Sequence, residues 1–286
     1  MDFAYSRPAE IERFTHRFAP VLDAVEQSVR LAHDFLNESL KILDGEASTV
    51  MWMLGAACLR EFDEVWFLCG NGFGTGGNKL LRALYERTVT LAYLAKTPEK
   101  LQQFIDYSDI HWHKLLVEAD TVGTQLSLSP EERRTVEANY ARSKDNYEEE
   151  VCAKCHKSRL QQSWTKAGIP QLATKVDAEL RSMCASAYLA PTFHIHTTHW
   201  GILNQCDLQG NGALQFLSPR IQHKTADDSF AMASYLVFQV AVAIHYFFKL
   251  SHRDKILEVD ALLANGWKMV DEFRPRGSPE SQPHSE

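Results

Sequence analysis

Apolar residues recur at helical spacing through Phe14, Phe18, Leu22, Val25, Val29, Leu31, Phe35 and Leu40. That spacing lines one face of a helix with side chains that need a partner to bury them. A half-buried strand would instead alternate apolar and polar residues, and no alternating segment recurs in the chain. The pattern predicts a first helix over residues 8 to 44, closed near Gly45. A second is predicted from about Thr49 to Cys69, capped by Ser48 and broken by the run Gly70-Asn-Gly-Phe-Gly-Thr-Gly-Gly-Asn78. Asn78 caps a third, about Lys79 to Ala95, which stops at Thr97-Pro98, and a fourth follows from Pro98 to about Val122.

Further along, Ser129-Pro130-Glu131-Glu132 combines an N-cap, a proline at the first helical position and early acids, opening a charged helix expected to reach about Lys157. Gly168-Ile-Pro170 marks a loop, a helix resumes near Thr174 and reaches at least Tyr188, and the polar stretch from Cys206 to Asp228 reads as a long surface loop. An apolar helix from Ser229 to Ser251 and a last one ending near Phe273 complete the pattern. The expected fold is all-α: one multi-helix bundle of about eight helices over residues 1–273, with a Gly-rich helix-helix loop and a disordered tail over 274–286.

The most apolar stretch, Ser234 to Lys249, is interrupted by Gln239 and His245 and is shorter than the roughly 20 residues a membrane span needs, so it is expected to be a buried core helix with no membrane partner. With 30 Lys and Arg against 37 Asp and Glu, the net charge of −7 gives no general attraction to nucleic acid or anionic lipid. Six scattered cysteines and a polar, acidic N-terminus without a secretory signal point to a reducing, cytoplasmic setting.

Four motifs bear on chemistry. The glycine run lacks the Gly-Lys-Ser/Thr of a nucleotide P-loop, since Gly77 is followed by Asn78-Lys79-Leu80, and it reads as a helix-helix connection. Cys152-Ala-Lys-Cys155-His156 matches both a haem-attachment pattern and a zinc half-site, but the expected compartment opposes the first and no second Cys-x-x-Cys completes the other. Arg30-x2-His33 and Arg220-x2-His223 are too short for the Arg-His spacing of helical ribonucleases. Finally, His194-Ile-His196-Thr-Thr-His199 resembles the metallo-β-lactamase signature His-x-His-x-Asp-His, with Thr198 in place of Asp. That resemblance implies a metal-dependent hydrolase with a divalent metal such as zinc on His194, His196 and His199, and with His223, Asp227 or His245 as further ligands.

A second resemblance spans more of the chain. Leu81-Arg82-Ala-Leu-Tyr-Glu86-Arg-Thr-Val-Thr-Leu-Ala-Tyr93-Leu94, together with Tyr188-x3-Thr192-x3-His196-Thr197, resembles the two signature helices of a bacterial all-helical family of unknown function, number five thousand six hundred and seventy-seven, over about residues 20 to 250. Thr192 stands where that family usually has Ser. The resemblance implies that Arg82 and Glu86, four apart on one helix face, meet Tyr188, Thr192 and His196 of another helix in a polar pocket. The expectation is a pocket that binds a small polar or anionic ligand or a protein partner, with no cofactor. Pro191 should kink or start a helix within that second motif.

Overall fold

The computed structural model describes residues 7–152, 157–196, 198–199, 201, 206–208, 214–216 and 222–272. Pro8 opens a long first helix, α1 (Pro8–Ser39), where its missing N–H costs nothing. Next come α2 (Gly45–Gly70), α3 (Gly74–Lys96) and α4 (Leu101–Val122). α5 (Pro130–Ser143) starts on the expected capping box, in which Ser129 and Glu132 each accept from the other's backbone N–H. After it lie two short antiparallel strands, β1 (Glu148–Cys152) and β2 (Lys157–Leu160). Then follow α6 (Ile169–Val176), α7 (Ala178–Cys184), a widened turn over Ala185–Leu189 and α8 (Ala190–Ile195). A second small hairpin, β3 (Cys206–Leu208) with β4 (Leu214–Phe216), leads to α9 (His223–Phe248) and α10 (Arg253–Glu272).

The chain is an all-α bundle, as its periodicity predicts, with boundaries that differ in instructive places. The charged helix does not run to Lys157. It ends at Ser143 because Tyr147 is drawn into the core, where its hydroxyl donates to the Gln103 carbonyl on α4. The chain then doubles back, and Glu149 on β1 meets Arg159 on β2 at 2.7 Å. Asp227 and Asp228 are not in a loop either, since α9 begins at His223. Ser48 does not cap α2 from outside: it lies within the first turn, accepting from the Asp44 N–H and donating to the Gly45 carbonyl. The tail over 274–286, and Cys155 and His156 of the cysteine motif, lie outside the described residues.

α9 is the only helix among the described residues that is long and apolar enough, by length and composition, to cross a membrane. Here it packs against α1, α2 and α3, burying Phe230, Leu236, Val237, Val240 and Ile244. At one end Phe14 and Phe18 meet Phe230 edge-on or tilted, at 4.7 and 5.0 Å between ring centroids, with Trp267 of α10 against Phe18. The start of α9 explains the glycines. Gln222 donates its N–H to the Gly72 carbonyl, and its side-chain oxygen accepts from the Thr75 N–H at 2.7 Å, capping α3. α3 therefore begins at Gly74, ahead of the expected Asn78 cap, and a β-carbon on Gly74 would sit 2.5 Å from the Gln222 carbonyl oxygen. The phosphate-loop alternative is thereby replaced by an internal contact.

Where α10 crosses α1, a β-carbon on Gly266 would fall 2.9 Å from the Val21 Cα and 3.0 Å from the Pro20 carbonyl oxygen, neither of which can swing aside. Gly266→Ala should therefore force the two helices apart and cost about 1–3 kcal/mol in urea unfolding. An unchanged urea midpoint would show that the crossing is looser than described.

Candidate functional site

α7 starts on Asp177, whose carboxylate accepts from the Glu179 and Leu180 N–H groups at 2.7 and 3.3 Å. Eight residues on, the helix widens over Ala185–Leu189 into a π turn and narrows again into α8. Pro191 accounts for the disturbance. It has no N–H to give to the residue four back, and its ring crowds that carbonyl, so the helix continues only by loosening the turn before it. α8 then ends early, with His196 extended at φ −87° and ψ 134°.

This break changes which side chains face α3. A regular helix would align Tyr188, Thr192 and His196. In the structure the buried side of the segment carries Ala187 and Pro191, with His194 half-buried, while Phe193, Ile195 and His196 are exposed. Thr192 donates its hydroxyl to the Tyr188 carbonyl at 2.7 Å, an intrahelical bond. His196 gives its backbone N–H to the Thr192 carbonyl and leaves its ring at the surface. The expected convergence of His196 on Arg82 and Glu86 is thus corrected: the histidine turned toward α3 is His194, close enough to Lys79 to feel its charge. Burial first, and then the Lys79 ammonium, push the His194 imidazole below the ordinary histidine range.

Arg82 and Tyr188 do meet. The guanidinium carbon lies 4.9 Å from the Tyr188 ring centroid, a cation-π geometry. Tyr188 rests in turn on Tyr85, 6.0 Å away at 32°, and the buried Tyr85 hydroxyl donates to the Leu180 carbonyl at 2.6 Å. Burial and then Cys184 raise the Tyr85 hydroxyl's pKa well above its usual value, so it remains a donor. Glu86 approaches the Arg82 terminal nitrogen only to 4.0 Å, and the two side chains are 44% and 23% exposed. The Arg82 Nε is buried without a hydrogen-bond partner among the described residues. On another side of α3, Arg87 pairs with the buried Glu61 of α2. Lys79, three residues before Arg82, was missed as a site residue although the i, i+3, i+7 spacing of Lys79, Arg82 and Glu86 places all three on one face.

The metal reading finds no geometric support. Among the described residues no three His, Cys, Asp or Glu side chains form a group that could hold a metal ion, so His194, His196 and His199 do not converge. The further candidate ligands lie elsewhere: Asp227 accepts from Arg13 at 2.9 and 3.3 Å, His223 lies 2.7 Å from Glu10, and His245 is on the far turn of α9.

Compared with known proteins, residues 50–213 match the family of unknown function DUF5677, a stretch that contains both α3 and α8. No curated protein and no solved structure matches the chain.

The Arg82–Tyr188 contact should be measurable by a double-mutant cycle of Arg82→Met and Tyr188→Leu. A coupling of about 0.5–1 kcal/mol is expected, small because Arg82 is partly exposed. Strict additivity would mean the ring and the guanidinium do not interact. His194 gives a pH test. Its folded pKa is depressed, so the unfolded state binds the extra proton, and stability present above about pH 6.5 should fall as the pH drops through that value. His194→Gln should flatten that fall between pH 7 and 5, and an unchanged slope would place the effect in other groups.

Proposed function

The chain belongs to the family of unknown function DUF5677, and we propose that it is a ligand-binding protein whose α3–α8 contact holds a small anionic ligand on Arg82. The observation that carries this reading is the unspent donor capacity of Arg82. A guanidinium offers five N–H donors in a plane suited to carboxylate or phosphate. Here one face is occupied by Tyr188, the nearest carboxylate stands 4.0 Å away, and Nε is buried without a partner among the described residues. A ligand oxygen would bond the terminal N–H groups of the guanidinium, which Glu86 approaches no nearer than 4.0 Å.

Lys79 supports the sign of the ligand, because it puts a further positive charge on the same face of α3 as Arg82. Glu86 sets a limit on charge, repelling an anion that reaches past Arg82. The Tyr188 ring beside the guanidinium restricts that side chain, so part of the cost of ordering it is met before a ligand arrives.

Thermal unfolding in the presence of inorganic phosphate, sulfate or acetate tests the reading. At about one hundred times the dissociation constant a specific anion should stabilise the fold by about 2.7 kcal/mol. Arg82→Lys keeps the charge but loses the planar fork, and should weaken that anion at least tenfold while the helix signal in circular dichroism stays the same. If none of the three raises the unfolding temperature of the unmodified chain, or if Arg82→Lys binds as tightly, the site is a structural contact between helices.

A further inference from the structure

The turn that ends α9 has a lysine where helices usually place glycine. Lys249 adopts the left-handed conformation, φ 53° and ψ 43°, and is the one non-glycine residue with a positive φ among the described residues. α4 ends in the same way on Gly123, φ 69°. In both turns the cap N–H returns to carbonyls of the last helical turn, for Lys249 those of His245 and Tyr246. A β-carbon is disfavoured in that conformation and glycine is not. The backbone thus gains nothing from a side chain at position 249, and such strain is retained where the side chain has a use.

Next to Lys249 a cleft of about 820 Å³ opens between the last turn of α9 and residues 95–98 at the end of α3. Its lining combines two charged side chains, Lys96 and Lys249, with the apolar Pro98, Tyr246 and Phe247. The Lys96 ammonium donates one proton to the Val176 carbonyl and keeps two. Tyr246 is 59% exposed, an unusual position for a large ring with no other visible task. His245 completes the lining. Its ring lies 5.6 Å from that of Phe35, and its Nδ1 is buried without a hydrogen-bond partner among the described residues, so any bond from the ring to a ligand runs through Nε2. Burial, and then His252, hold the imidazole below its ordinary pKa, with Glu38 opposing them, so it stands there as a neutral donor or acceptor.

We infer that this cleft is a second binding site, for a small ligand with a flat apolar body and one carboxylate or similar anionic group. The rings and the proline take the body, the two ammonium groups take the charge, and the His245 Nε2 fixes the orientation. None of these residues belongs to the Arg82 site, and the inference stands apart from the function proposed there.

Calorimetric titration of the full chain with 1-naphthoate, and with the neutral 1-naphthamide as its control, tests it. Naphthoate should bind saturably and naphthamide at least tenfold more weakly. Lys249→Gly relieves the backbone strain, so its urea midpoint should rise while naphthoate affinity falls at least tenfold. Arg82→Lys should leave naphthoate binding unchanged. Naphthamide binding as tightly as naphthoate, an affinity that survives Lys249→Gly, a lowered urea midpoint in that variant, or a loss confined to Arg82→Lys would each overturn the inference.

Discussion

A helix as apolar as α9 cannot stand in water alone, and burying it organises most of the bundle. Phe230, Leu236, Val237, Val240 and Ile244 need partners on more than one side, and α1, α2 and α3 supply them. The same demand fixes the loop between α2 and α3. With α9 lying against α3, its first residues reach the α3 N-terminus, and the Gln222 side chain caps it. Only glycine at position 74 lets the two backbones come that close. The Arg13–Asp227 ion pair and the 2.7 Å contact between Glu10 and His223 at this end tie α1 to the same point.

With three of its sides engaged by α2, α9 and α6, α3 has one stripe left for the segment from α7 to α8. That segment is not a regular helix. The widened turn before Pro191 rotates Tyr188 over Arg82 and carries His194, in place of His196, toward Lys79. One proline therefore decides which side chains share the candidate site. The energies involved are modest, since Arg82 and Glu86 are both partly exposed and ion pairs at such positions contribute little. What the arrangement secures is placement: a guanidinium carbon held 4.9 Å from the centre of a ring.

The long helices were legible because each repeats its apolar stripe many times over. α1, α2, α3, α4 and α9 lie within about six residues of their expected limits, and the capping box at Ser129 is found as read. The misreadings share a cause. Tyr147 leaves a charged helical pattern because a distant carbonyl on α4 accepts its hydroxyl, and Gln222 caps a helix 147 residues away. Local spacing contains neither partner. At the site, Arg82 and Tyr188 were brought together by the family resemblance. The choice between His194 and His196 was not legible, because it depends on a turn of five-residue hydrogen bonding that Pro191 signals only as a disturbance.

The account turns on Pro191, and the most direct measurement is the Arg82–Tyr188 coupling energy determined twice, in the natural chain and in Pro191→Ala. Alanine restores the missing N–H and favours a regular α-helical turn. The coupling should then fall toward zero as Tyr188 rotates off the guanidinium, while the circular dichroism signal keeps its helical strength. An equal coupling in both backgrounds would contradict the account, showing that Tyr188 finds Arg82 without the widened turn.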